Sequence, residues 1–281
     1  MITCKIFDKG FAHAHGMCWK WKPKHIEWYR GNDYYDKCFF TDTDIPNVEY
    51  VDCKEKIAII SEPPDINKGM HGADYFGYLK DNHHKFDYVL TPYKDMISLD
   101  PKKFLYYHQS FPWIPKEDQK IYPKNKLVSI IASPKVTTEG HKLRHEVIAE
   151  YSDKFLFDVY GCGYMPFKEY KTDFLKDYYF SICIMNSNIN GYFTEAVGDC
   201  FATGTIPIFW GTKSIGDVYN TDGIIFFEKK EELNGILSSI DQKYYESKMK
   251  AIEENFKIAT QYLTHEDYMY EKYPYIFLDK T

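Results

Sequence analysis

From residue 126 onward the apolar and polar positions fall into blocks of two periods. Residues 127–132 are a continuous apolar run and predict a buried strand. Leu143, Val147, Ile148 and Tyr151 then recur at helical spacing, which puts one apolar face on a helix over 141–151. Strand runs return at 155–160, 180–185, 206–210 and 224–227. Helices are expected over 194–203, 233–240 and 244–262, with a further one ending within 174–178. Thr194 is the expected N-cap of the 194–203 helix, and Gly204 its stop. Strand and helix in strict alternation predict a parallel, doubly wound sheet that binds ligands beyond the carboxyl ends of its strands. The Gly161 loop, the loop over 186–194 and the Gly211 loop fall at those ends.

The first 120 residues are more polar and less regular. Short strand runs at 2–7, 38–41, 57–60, 88–91 and 104–108, with room for helices between them, suggest a second α/β layer. Three prolines among charged residues over 111–125 suit no core strand and mark a boundary. The expected division is one lobe over 1–122 and another over 123–281.

A chain of 281 residues has the length for two such lobes. Its 44% apolar and 27% charged residues exclude a disordered, collagenous or disulfide-scaffold protein. A net charge of −6 argues against a broad grip on nucleic acid or on an anionic membrane, while leaving room for a local basic pocket. Aromatic residues reach 18%; such rings stack on sugars and bases, and they also fill ordinary cores and strands. The seven cysteines are odd in number and contain no CxxC, so buried free thiols in a reducing compartment are expected. With no apolar leader at the start and no window of 18 apolar residues, the expectation is a soluble cytoplasmic protein without a membrane segment.

Several residues suit chemistry on this scaffold, each with a plainer reading beside it. Glu195 opens a helix at a strand-to-helix crossing, where a carboxylate either accepts ribose hydroxyls or complements the helix dipole. Arg144 lies early in the 141–151 helix, near Lys135 and Lys142. These cations and the helix amino end either clamp a pyrophosphate or form a solvated basic face. Glu62 follows the apolar run IAIIS and precedes two prolines; it is placed as a general base at a strand end, or as a loop carboxylate in water. His13, His15, His83 and His84 lack companions at ligand spacing, and Asp42 and Asp44 only approach a DxD metal motif. No GxGxxG, GxxxxGK[ST] or GxSxG occurs, so neither a nicotinamide fold, a P-loop nor a nucleophile elbow is supported.

Taken together, these segments resemble the family 10 glycosyltransferases, the α-1,3/1,4-fucosyltransferases. Tyr192-Phe193-Thr194-Glu195 is similar to that family's Y-V-T-E-K helix, and residues 202–211, ATGTIPIFWG, to its A-G-T-I-P-I-Y-W-G strand. Asp158-Val159-Tyr160-Gly161, Asn186-Ser187 and Leu143-Arg144 resemble further family elements. Ser61-Glu62-Pro63 and Phe86-Asp87-Tyr88 match weakly in the first half. The resemblance implies the GT-B architecture, two Rossmann-like lobes with an interlobe cleft. It assigns the acceptor to the first lobe and a nucleotide-sugar donor, GDP-fucose, to the second. On this carry-over Arg144 holds the pyrophosphate, Glu195 the ribose, Tyr192 lines the donor pocket and Asn186 lies near the nucleotide. Thr194, Gly161 and Lys135 complete the donor side, and Glu62 is the general base. No obligatory cofactor or metal is implied, and the acceptor is a glycan.

Two departures qualify the donor. Ala196 stands where the family has a lysine that meets the phosphates, a contact of a kind worth about 1.5 to 3 kcal/mol. Lys213, Lys135 or Lys142 is the expected replacement. Met185 stands where the family's E-N-S element has its acid. Another donor, GDP-mannose or a UDP-sugar, therefore remains open, as does a catalytically silent glycan- or nucleotide-binding protein.

Overall fold

Every strand pairing in the computed structural model is parallel among the described residues, which are 1–9, 13, 15–18, 20–68, 72, 74–166 and 170–278. The chain divides into two units, Met1–Gln109 with Tyr262–Thr281, and Ser110–Gln261.

The first unit holds β1 (Ile2–Phe7), β2 (Ile26–Tyr29), β3 (Lys37–Thr41), β4 (Glu55–Ile59), β5 (Tyr88–Thr91) and β6 (Phe104–Tyr106). Their order in the sheet is β2-β1-β3-β4-β5-β6. All five residues of β3, KCFFT, are buried, as befits a parallel strand covered on both faces. Beyond its carboxyl end, Asp42 adopts a left-handed φ of 35°. The last helix, His265–Lys272, ties itself to this unit by three consecutive polar residues. Glu266 Oε1 accepts the Met17 amide at 2.6 Å and the Trp28 indole N–H at 2.8 Å. Asp267 Oδ1 accepts the Lys24 amide at 2.7 Å, and His265 Nδ1 lies 3.3 Å from Cys18 Sγ. The hydrophobic pattern attaches this terminal segment to the second lobe; hydrogen bonds of more than 230 residues' separation, which no local pattern encodes, attach it to the first.

The second unit holds β7 (Lys126–Ile131), β8 (Asp158–Tyr160), β9 (Tyr178–Ile184), β10 (Ile206–Trp210) and β11 (Ile225–Phe226), in the order β11-β10-β9-β7-β8. Helix Glu139–Phe155 starts in a capping box made by Thr138 and His141. Val147, Ile148 and Tyr151 face the sheet and pack with Val128, Ile130 and Ile182. Phe155 closes this helix rather than opening a strand, because Leu156 turns left-handed and β8 begins only at Asp158. Helix Glu195–Ala202 has Thr194 at its N-cap position, where the hydroxyl makes no capping bond, and Gly204 follows it at φ +70°. The chain runs from β7 outward to β8 and then crosses back to β9 on the other side of β7. The carboxyl ends of β7 and β9 therefore bound the switch-point crevice where open α/β sheets take their ligands.

The expected α/β architecture of two Rossmann-like lobes is the one observed. No described helix is long and apolar enough to cross a membrane. All seven cysteines are free thiols; six are buried and Cys162 is exposed.

Candidate functional site

At the switch point of the second unit, Arg144 reaches from the second turn of its helix to the end of β9. Its Nε donates to the Ile184 carbonyl at 2.9 Å, Nη2 donates to the same carbonyl, and Nη2 also donates to Asn186 Oδ1 at 2.9 Å. Burial lowers its pKa from the ordinary arginine value, against the opposing influence of Cys183, Tyr192 and Glu195. A guanidinium always charged in practice is thus held, partly buried, by three hydrogen bonds, with Nη1 carrying none among the described residues. Asn186 Nδ2 continues the chain to the Tyr192 hydroxyl at 3.5 Å. The structure therefore gathers Arg144, Asn186, Tyr192 and Glu195 around one strand end.

The helix amino end beside them is less available than the sequence suggests. The Gly140 amide donates to the Asn186 carbonyl at 3.1 Å, His141 to Thr138 Oγ1 at 3.2 Å and Thr138 to His141 Nδ1 at 3.3 Å. Three amides of the helix amino end are thereby occupied by the protein itself, and the positive charge at this place comes from Arg144. Gly140 permits the approach: a Cβ there would lie 1.7 Å from the Met185 carbonyl oxygen. Gly161 serves in the same way on the other side. It sits at φ +123°, and a Cβ would meet the Ala132 carbonyl oxygen at 1.8 Å, so the loop after β8 lies against the end of β7.

Of the lysines expected to replace the one missing at Ala196, Lys135 and Lys142 are exposed and Lys213 is paired with Glu228 at 2.5 Å. The cation actually beside Glu195 is Lys171. Its Nζ lies 3.0 Å from Glu195 Oε1 and 3.0 Å from Asp199 Oδ2. Burial would raise the Glu195 pKa, but the charge and hydrogen bond of Lys171 outweigh it and hold this carboxyl below the ordinary value. Asp199, entirely buried, is pushed up to about 6 by burial and by Glu195, against Lys171. Its Oδ1 accepts the amides of Trp113 at 2.6 Å and Ile114 at 3.2 Å. Sequence reasoning missed Lys171 and Asp199. Asp199 carried a signal, one turn beyond Glu195 on an apolar helix face; Lys171 carried none.

In the first unit, Glu62 follows β4 as expected, and its backbone is fixed by a polar net. Asp42 Oδ1 accepts the amides of Ser61 at 3.0 Å and Glu62 at 3.2 Å, and Asn67 Nδ2 donates to the Glu62 carbonyl at 3.1 Å. The Ser61 carbonyl accepts from the Tyr93 hydroxyl and from Gln109 Nε2, each at 3.1 Å. Burial, and then the charge of Glu62, push Asp42 up to about 8. Asp42 and Asp44 thus serve backbone and side-chain donors: Asp44 Oδ1 accepts from Asn47 Nδ2 at 2.7 Å. Among the described residues no group of three or more His, Cys, Asp or Glu could hold a metal ion.

Two parallel sheets of doubly wound order, one in each unit, match the GT-B class of folds. Comparison with known proteins finds relatives. Residues 121–247, somewhat less than half of the chain, match the model of glycosyltransferase family 10 (fucosyltransferase), C-terminal domain. A 55-residue segment is 36% identical to the alpha-(1,3)-fucosyltransferase FucT of Helicobacter pylori; it covers 20% of this chain and 12% of that protein's length. A crystal structure of α1,3-fucosyltransferase with GDP shares the fold over 100% of this chain and 91% of its own, at a TM-score of 0.60 and 13% identity. Another, with GDP-fucose, covers 91% of this chain and 82% of its own, at a TM-score of 0.55 and 17% identity.

Proposed function

We propose that the protein is an inverting glycosyltransferase that moves fucose from GDP-fucose to a hydroxyl of a glycan. The observation that carries this reading is Arg144, fixed at the β7/β9 switch point beside Asn186, Tyr192 and Glu195. Arg144 takes the diphosphate through its remaining N–H groups, and Glu195 accepts the ribose hydroxyls. Thr194, Gly161 and Lys135 shape the loops around the nucleotide. Glu62 removes the proton of the acceptor hydroxyl. The freed oxygen forms a bond to the anomeric carbon as the bond from that carbon to the diphosphate breaks. GDP departs with the electron pair, and the configuration inverts. A preorganised cation facing the growing charge of the leaving group is commonly the largest catalytic contribution. Free thiols throughout support a reducing compartment, the cytoplasm.

The fold alone equally suits another sugar nucleotide, GDP-mannose or a UDP-sugar. Ala196, where the family lysine is missing, favours one further reading, a binder without turnover. A thermal-shift panel of GDP, UDP, CMP and the corresponding sugar nucleotides tests all three. At a free ligand concentration of about 100 Kd, stabilisation is about 2.7 kcal/mol. GDP and GDP-fucose are expected to raise Tm in the wild type and not in Arg144→Ala. A shift with UDP compounds alone would discard the donor and keep the fold. Binding of GDP-fucose with no transfer to any acceptor, and with the same affinity in Glu62→Gln, would establish the silent binder.

A further inference from the structure

Lys171 precedes Glu195 by 24 residues and belongs to none of the motifs that mark the donor side. Its side chain is 17% exposed, that of Asp199 1%, and its ammonium lies 4.5 Å from the centre of the Trp113 ring. Glu195 and Asp199 stand one turn apart on one helix, a spacing at which two carboxylates repel, and burial sharpens the repulsion. A single ammonium, 3.0 Å from each, offsets it. Asp199 cannot turn away, since its other oxygen holds the Trp113 and Ile114 amides. Lys171 is therefore anchored from below by a fixed carboxylate and presents its remaining reach to Glu195. With two carboxylates already engaged, it is not a loose phosphate-binding cation of the kind that a lysine at position 196 would be.

We propose that Lys171 is a positioning residue for nucleotide recognition: it keeps the Glu195 carboxylate ionised and oriented so that its other oxygen accepts the ribose hydroxyls of a nucleoside diphosphate. The proposal rests on the ribose role given to Glu195. The charged groups facing Glu195 are Arg144 from helix Glu139–Phe155, Lys171 ahead of helix Thr172–Leu175 and Asp199 from its own helix, and the Thr194 side chain hydrogen-bonds to it. Of these, Lys171 is the one that makes an ion pair with it. Without Lys171, the two buried carboxylates would share a proton, and the acceptor would become a partial donor facing hydroxyl groups.

Calorimetric titration with GDP and with 2′-deoxy- and 3′-deoxy-GDP tests this on the whole chain. Loss of a hydrogen bond to a charged group should weaken the deoxy compounds about tenfold or more in the wild type. Lys171→Met should bring the ratio of deoxy to parent Kd close to one, as Glu195→Ala should. Its GDP affinity should also fall more steeply than that of the wild type as pH drops from about 8 to about 5.5. Because Lys171→Met also leaves Asp199 buried without its cation, Lys171→Met/Asp199→Asn relieves that penalty; burial still disfavours the Glu195 charge and no ammonium orients its carboxylate, so the discrimination should again fall. A wild-type ratio retained in the double variant would overturn the role of Lys171 while leaving the ribose reading intact. A wild type that binds GDP without distinguishing the deoxy compounds would overturn the ribose reading, and the proposal with it.

Discussion

Arg144 commits Nε and Nη2 to protein oxygens at the end of β9, so its planar fork, and not its charge alone, sets where Nη1 points. A lysine there keeps the charge and loses the fork. Arg144→Lys is expected to weaken GDP at least about tenfold, read by calorimetry, and to lower Tm of the free protein, because the Ile184 carbonyl and Asn186 Oδ1 lose donors. Asp42 makes a different prediction. With a folded pKa of about 8, raised by burial and then by Glu62, it is protonated at neutral pH. A raised carboxyl contributes stability that is complete below its unfolded pKa of about 3.9 and lost as pH rises through about 8. Asp42→Asn keeps the acceptor for the Ser61 and Glu62 amides and removes the titration. The variant should therefore lose less Tm than the wild type between about pH 5 and about pH 8; an identical loss in both proteins would refute a protonated Asp42.

At the scale of elements, helix Glu139–Phe155 and β9 approach so closely that only glycine fits at their meeting point. Gly140→Ala should cost about 1 to 3 kcal/mol. It should also separate Arg144 from Ile184, so denaturant midpoint and GDP affinity should fall together. What the sequence revealed and hid follows the same logic. Strands β1, β5 and β10 lie where the sequence places them, residue for residue; for β10, IPIFW, the reason is that a covered parallel strand needs little beyond an unbroken apolar segment. Strand β2, IEWY, was not legible: four residues that alternate buried and less buried within a polar stretch resemble a loop until the neighbouring β1 is known. The proposed donor side divides likewise. Arg144 and Glu195 sit within motifs and near strand ends, which makes them recognisable. Lys171 lies in the irregular segment before β9 and acquires its partners only through folding. The occupied amides of the Glu139 helix were illegible for a related reason, since Asn186, which takes one of them, comes from 46 residues further along the chain.

For the whole molecule, the governing fact is that the first unit is assembled from both ends of the chain while the second is continuous. Glu266 is the buried fastening. Its carboxyl is raised by burial, against the hydrogen bonds from Trp28 and Met17. The raised pKa means that its contribution to stability is greatest in acid and declines as pH rises above the ordinary glutamate value of about 4.3. Glu266→Gln preserves the acceptor and should flatten that decline. Glu266→Leu leaves the Met17 amide and the Trp28 indole buried without a partner and should cost about 1 to 3 kcal/mol for each group; urea denaturation at two pH values separates the variants. Chains leave the ribosome amino end first, and domains close as their residues emerge. Here β1 to β6 are made first yet wait for Glu266, while all of Ser110–Gln261 is synthesised in between. The half of the protein that is translated first is consequently the half that is finished last.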